Sequence, residues 1–172
     1  EDEMILYLAG MGGENKKIRS YVLEHYPDVG VLCSYANPKE FNSLVETGFK
    51  NIMMDSGAYS VSKKGIVIDI DKYIEFLKLN SDKITVAVAL DVIGNPDQSY
   101  KNYLYMLDKG INNLVPTFHL GEDNKWLDLY CKKSNFVGIG GIAGSVTNWK
   151  LYYPFLTRIV NKYPNHKFHC FG

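Results

Sequence analysis

Acids that directly follow buried apolar runs are the first candidates for chemistry in this chain. The stretch 51–60 reads as the end of a buried strand that meets an acid, a hydroxyl and a glycine, Asp55-Ser56-Gly57, where the backbone must turn sharply. The apolar run 84–90 ends in Asp91, the run 114–118 in His119, and the run 136–139 in Gly140-Gly141-Ile142. Ser34 stands near the end of an earlier run. In parallel α/β sheets, ligands bind outside the carboxyl ends of the strands. These residues therefore define one expected mouth. Two neighbouring carboxylates can hold different protonation states, one moving protons while the other accepts hydrogen bonds. Asp55 is the expected acid/base, with Asp91 as its partner.

Each residue also has a plainer explanation. A lone Asp after a strand is most often a helix cap or a turn residue; recurrence on adjacent strands is what favours a site. Gly57 reads as a turn glycine with positive φ, or as bare backbone that lets a flat ligand approach. The glycines from Gly138 to Gly144 read the same two ways. They do not form a dinucleotide fingerprint, because Ala143 stands where the spacing from Gly138 and Gly140 requires glycine. His119 is open between a substrate partner and a satisfied structural histidine. His166 and His169, three apart on a strand, would face opposite sides, which disfavours joint metal binding.

A βα rhythm must position these residues. Seven apolar runs, 4–9, 29–35, 51–54, 84–90, 114–118, 136–139 and 166–171, alternate with helical patterns. Ile18, Tyr21, Val22 and His25 recur at helical spacing. Asn37-Pro38-Lys39-Glu40 combines a cap, a first-turn proline and a capping-box glutamate, with Phe41, Leu44 and Val45 as the buried stripe and Gly48 as the stop. Residues 69–80 carry Ile70, Tyr73, Ile74 and Leu77 on one face. Asn95-Pro96 opens a helix lined by Tyr100, Tyr103, Leu104 and Leu107. Pro154 is expected in the first turn of the last helix, because a mid-helix proline costs about 3 kcal/mol. Phe155, Leu156, Ile159 and Val160 are its expected buried face. Runs apolar at nearly every position fit a parallel sheet covered by helices. The favoured fold is α/β, a single domain over 1–172: a (β/α)8 TIM barrel truncated after about seven strands, its last strand and helix lying beyond Gly172.

Composition sets outer limits. The 172 residues are 46% hydrophobic and 22% charged, which is globular rather than disordered. Lys+Arg and Asp+Glu balance at 19 each, so no basic excess advertises nucleic acid, although local patches such as Lys63, Lys64 and Arg158 remain candidates. No apolar run approaches the roughly 20 residues of a membrane span. The acidic start is not the positive end of a signal peptide, and the missing initiator Met suggests a trimmed end. Cys33, Cys131 and Cys170 form no C-x-x-C pair, which argues against a thiolate zinc site and for buried free thiols in a reducing cytoplasm.

The ordered set of motifs resembles a known family. Met54-Asp55-Ser56-Gly57-Ala58-Tyr59 resembles the Asp-Ser-Gly-Gly-Phe/Tyr-Gln signature of the tRNA-guanine transglycosylases (queuine tRNA-ribosyltransferases). Ala89-Leu90-Asp91 is similar to the end of that family's fourth strand, with Ser99 and Asn102 where it often carries polar residues. Gly138–Ser145 resembles its glycine-rich loop, and His169-Cys-Phe-Gly172 its seventh-strand end. Ala-Tyr-Ser after Gly57, with Ser34-Tyr-Ala36, looks closer to the divergent branch that inserts 7-deazaguanines into DNA, often in phage and mobile islands.

The resemblance implies a base-exchange glycosyltransferase that replaces guanine with a 7-deazaguanine (preQ0- or queuine-like) in DNA or tRNA without ATP. Asp55 would be the general acid/base. Asp91 would bind the amino and ring N–H edge of the purine. Ser56 and Gly57 would lie near the base, as would the backbone of Gly140, Gly141 and Ile142. His119 stands where the tRNA enzymes commonly have Gln. The family's nucleophilic aspartate, on the eighth strand, and its zinc site both belong to sequence beyond Gly172. No cofactor is expected within this chain. The expected partners are nucleic acid and the free base, with a dimer or partner subunit possible and no membrane. Two alternatives stand beside this: a catalytically inactive nucleic-acid-binding subunit or paralogue, and an unrelated metal-dependent barrel hydrolase using Asp55, Asp91 and His119, disfavoured because the first strand has no H-x-H pair.

Overall fold

The computed structural model describes residues 4–59, 65, 67–142 and 149–171. Among the described residues strands and helices alternate except at the β5–β6 junction: β1 (Tyr7–Ala9), α1 (Lys16–His25), β2 (Gly30–Ser34), α2 (Pro38–Thr47) and β3 (Ile52–Asp55) come first. They are followed by α3 (Ile70–Leu79), β4 (Val86–Val88), α4 (Pro96–Asp108), β5 (Leu114–Val115) and β6 (Thr117–His119). The last elements are α5 (Asn124–Lys133), β7 (Phe136–Gly140), α6 (Trp149–Lys162) and β8 (Lys167–Cys170). A 3-10 turn, Met11–Gly13, follows β1 and packs on the start of α2.

Among the described residues every pairing is parallel and strictly sequential, in a five-stranded sheet β1-β2-β3-β4-β5 and a three-stranded sheet β6-β7-β8. The expected single fifth strand is split at Pro116. Proline has no N–H for the ladder. On one side of the split the Val115 carbonyl accepts from Ala89 N–H (2.8 Å); on the other the Pro116 carbonyl accepts from Gly138 N–H (2.8 Å). One run of chain thus pairs with β4 by its first half and with β7 by its second, and the two sheets follow one another as an arc.

Sequential order has no reversal point, which sets the arrangement apart from a doubly wound sheet. Right-handed crossovers that always advance in one direction leave all helices on one face. The core reflects this. Val31, Cys33, Ile52, Met54, Ala87, Ala89 and Leu114 point outward and pack with Phe41, Leu44, Tyr73, Leu77, Tyr103, Met106 and Tyr130 of the helices. Met53, Val88 and Val115 are no more than 2% exposed, yet lie outside that cluster, on the inner face. The arc therefore covers its own concave side. Across it, the rings of Tyr7 on β1 and His169 on β8 meet edge to face at 5.5 Å. Among the described residues β1 and β8 are not paired and no closed barrel is found.

Helix ends follow from local sequence. Asn95 caps Gln98 N–H, Asp69 caps Asp71 and Lys72, and Asp123 caps Lys125. Asn37 departs from the expected cap: its side-chain amide donates to Glu40 Oε1 (2.8 Å) instead of accepting from the helix. Pro154 also departs from expectation, lying inside α6 rather than in its first turn. One backbone donor is lost there, while Ile159 remains buried and Phe155 and Leu156 pack partly against the core. Val160, expected on the same face, is 53% exposed. Cys33 and Cys131 are buried free thiols, whereas Cys170 is exposed on β8, the edge strand of the three-stranded sheet. Among the described residues no helix is long and apolar enough to cross a membrane.

Candidate active site

The turn after β3 is built on two short-range bonds. Gly57 N–H donates to Asp55 Oδ2 (3.0 Å), and Ala58 N–H to Ser56 Oγ (3.3 Å). Gly57 has φ of 79°, and a Cβ there would stand 2.5 Å from Ser34 Oγ and 2.9 Å from Ala36 Cβ. Both the turn and the close approach of β2 require glycine. Ser34 and Asp55 are in register on neighbouring strands, so Ser34 lies beside the acid.

Beneath the turn, β3 and β4 diverge after Met54 and Ala87, their last paired residues. The fully buried Tyr73 of α3 bridges the gap: its hydroxyl lies 3.2 Å from the Met54 carbonyl and 2.9 Å from that of Val88. Asp55 follows the first carbonyl directly and Asp91 stands three residues after the second. The loop carrying Asp91 is held by α4. Asn102 Nδ2 donates to the Leu90 carbonyl (3.0 Å), and Val92 N–H donates to Ser99 Oγ (2.8 Å).

Four side chains then meet in a line. The fully buried Ser56 places its hydroxyl 3.5 Å from Asp91 Oδ1. His119 Nε2 is 3.1 Å from Asp91 Oδ2, and His119 Nδ1 is 3.4 Å from Glu122 Oε1. Glu122 is itself aimed, because its Oε2 accepts from His119 N–H (3.2 Å). Space for the imidazole comes from Gly140: a Cβ there would lie 2.6 Å from His119 Cδ2.

The electrostatics of the two ends differ. Burial, then the nearby charge of Asp91, raises the Asp55 carboxyl from 3.8 to about 6, against the opposing hydrogen bonds from Gly57 and Ser56. Burial works against a charged His119, but hydrogen bonds to Asp91 and Glu122 outweigh it and lift the imidazole from 6.5 to about 9. The site thus combines an acid of raised proton affinity, Asp55, with an imidazole of raised proton affinity, His119, set between the carboxyl groups of Asp91 and Glu122.

Asp55, Ser56, Asp91, His119 and Gly140 are thus brought together as their strand positions suggested, and Gly57 forms the turn beside them. Gly141, with φ of 78°, and Ile142 continue from the end of β7. The Gly140 carbonyl already accepts from Leu120 N–H (3.1 Å), which leaves Gly141 as the exposed member of the pair. Ala143, Gly144, Ser145, Lys63, Lys64 and Gly172 lie outside the described residues. Arg158 sits on α6 against the ring of Phe155, with Asn124 Oδ1 3.4 Å away. Glu122 and the bridging role of Tyr73 were missed in sequence. The spacing His119-x-x-Glu122 across a glycine was the available signal for the first.

No group of three or more His, Cys, Asp or Glu suited to a metal ion occurs among the described residues. A cleft of about 470 Å³ opens elsewhere, at the amino ends of β4 and β5, lined by residues including Leu77, Lys78, Thr85 and Asn113. None of its lining residues is an acid or a histidine, in contrast to the mouth. No protein-family model matches the chain, and neither a curated protein nor a solved structure matches it significantly.

Proposed function

We propose that this chain is the base-reading and proton-handling part of a base-exchange glycosyltransferase, which replaces guanine with a 7-deazaguanine in DNA or tRNA. One observation carries the reading: an acid titrating near neutrality, Asp55, lies beside a second carboxylate, Asp91, whose two oxygens are held by different partners. Breaking a glycosidic C1′–N bond leaves an electron pair on the departing base, which needs a proton. Protonated Asp55 supplies it. The resulting carboxylate then takes a proton from the entering base, which restores the acid. Asp91 accepts hydrogen bonds from the amino and ring N–H edge of the purine. The nucleophile that attacks C1′ is not assigned to any described residue.

The barrel belongs to the same proposal. Sequential parallel strands, helices on one face and a buried concave face favour reading the arc as most of a (β/α)8 barrel.

The experiment is incorporation of labelled 7-deazaguanine into DNA and, separately, into tRNA by the protein that carries this chain. Asp55→Asn should lower incorporation by about 10²–10⁴-fold while unfolding remains cooperative. Incorporation by the variant at wild-type rates would remove Asp55 from the mechanism. Failure of both nucleic acids as acceptors would remove the reading itself.

A further inference from the structure

Glu122 is unused by the mechanism above, although the chain builds it into place. Gly121 turns the backbone at φ of 96°, and the acid folds back so that one oxygen takes the His119 N–H and the other faces His119 Nδ1. The second imidazole nitrogen is taken by Asp91, and Gly140 is the only residue type that leaves room for the ring. We propose that Glu122 is a positioning residue: acting through His119, it fixes the orientation of Asp91, and so controls how well the site accepts the hydrogen-bond donors of a purine edge. This rests on the base-exchange reading for its functional consequence, but not for the clamp itself.

The logic is a chain of donors and acceptors. Asp91 can present an oxygen to substrate only if something holds its orientation. Ser56 holds Oδ1 weakly, at 3.5 Å, and His119 holds Oδ2 closely. A neutral imidazole has one N–H and could satisfy only one of two carboxylates. With both nitrogens protonated it donates to both at once, and Glu122 is the acceptor that favours this form. The other groups facing the clamp are Asp55 across the mouth, which repels further negative charge, and Tyr130 of α5, which faces Glu122 and Asp91. Burial and those carboxylates push the Tyr130 hydroxyl far up, so it stays neutral throughout the relevant range.

The test begins with imidazole nitrogen NMR on the unliganded protein, with His119→Gln used to assign the signal. In the wild type both His119 nitrogens should be protonated at pH 7.5. Glu122→Gln should lower the midpoint by at least about one pH unit, a tenfold loss of proton affinity. A wild-type midpoint below 7, or one that moves less than about 0.3 unit in the variant, overturns the clamp. If Glu122→Gln does not fold, Asp91→Asn replaces it with the same expectation and the same overturning result. The second arm is base exchange across pH. Glu122→Gln should raise KM for the base above about pH 7.5 and have little effect below 6.5, leaving the acid limb set by Asp55 in place. A uniform loss at every pH would mean a merely structural role. Absent exchange with an intact clamp counts against the proposed function alone.

Discussion

The two ends of the strands use polar side chains differently. At the amino ends, side chains mostly satisfy backbone groups. Asn113 Nδ2 donates to the Ile84 and Thr85 carbonyls (2.9 and 3.2 Å), and the Thr85 hydroxyl donates to the Lys50 carbonyl (2.9 Å) while accepting from Ile52 N–H (3.3 Å). At the carboxyl ends, Ser56, Asp91, His119 and Glu122 also bind one another, and Asp55 faces a like charge. Bonds to the backbone hold the arc together. Bonds among ionisable groups shift proton affinities, and such shifts cluster at functional sites, though structural ion pairs produce them too. The cleft at the amino ends is lined without acids or histidines, so the two ends also differ in what their concavities present.

The comparison breaks most visibly at Asp55. Its folded-state proton affinity is raised, from 3.8 to about 6, so between those values the folded state binds more protons than the unfolded state. Stability attributable to this group is therefore present at low pH and is lost as pH rises through 6. Above 6 the buried charge costs up to about 3 kcal/mol, at roughly 1.36 kcal/mol per unit. Asp55→Asn should thus stabilise the fold by about 2–3 kcal/mol at pH 7.5, with the gain fading toward pH 4. Urea unfolding at several pH values measures it. A variant less stable at pH 7.5 would mean that the mouth carries no strain.

At the other end the sign reverses. Asn113→Ala leaves the Ile84 and Thr85 carbonyls without their side-chain donor at a partly exposed site, at a cost of about 0.5–1.5 kcal/mol. No titrating group takes part, so the loss should be the same from pH 5 to 8. Thermal or urea unfolding checks it. A pH-dependent loss would erase the contrast between the ends.

Much of this plan was legible in sequence because apolar runs that stop at a polar residue mark both a strand and its exit. Asp55, Asp91 and His119 were found in that way, and parallel order then brought them to one end. What was illegible depended on directions that periodicity does not carry. Glu122 lies in a loop, and its reach back to His119 depends on the turn at Gly121. Tyr73 was visible only as one apolar position among four on α3; that its hydroxyl spans two carbonyls requires knowing where β3 and β4 part. The run 114–118 hid a break because Pro116 withholds one donor while its carbonyl still pairs. The placement of Pro154 went wrong for a different reason: packing of Phe155, Leu156 and Ile159 outweighed the local cost of a proline within α6.

Tyr73 sharpens the contrast, because it is a backbone-satisfying side chain located at the chemical end. Its hydroxyl fills the divergence between β3 and β4 directly below Asp55 and in the strand that leads to Asp91. Tyr73→Phe keeps the buried ring and removes only this bridge. One shared hydrogen bond is lost and two carbonyls lose a donor, a cost of about 1 kcal/mol. If the bridge also sets the separation of the two acids, their mutual repulsion changes with it, and the Asp55 midpoint moves from about 6. Carbon-detected carboxyl NMR reads that midpoint, and urea unfolding reads the stability. Lost stability with an unmoved midpoint would assign Tyr73 to the scaffold alone. A moved midpoint would show that the site's proton affinity is set from beneath the mouth as well as from within it.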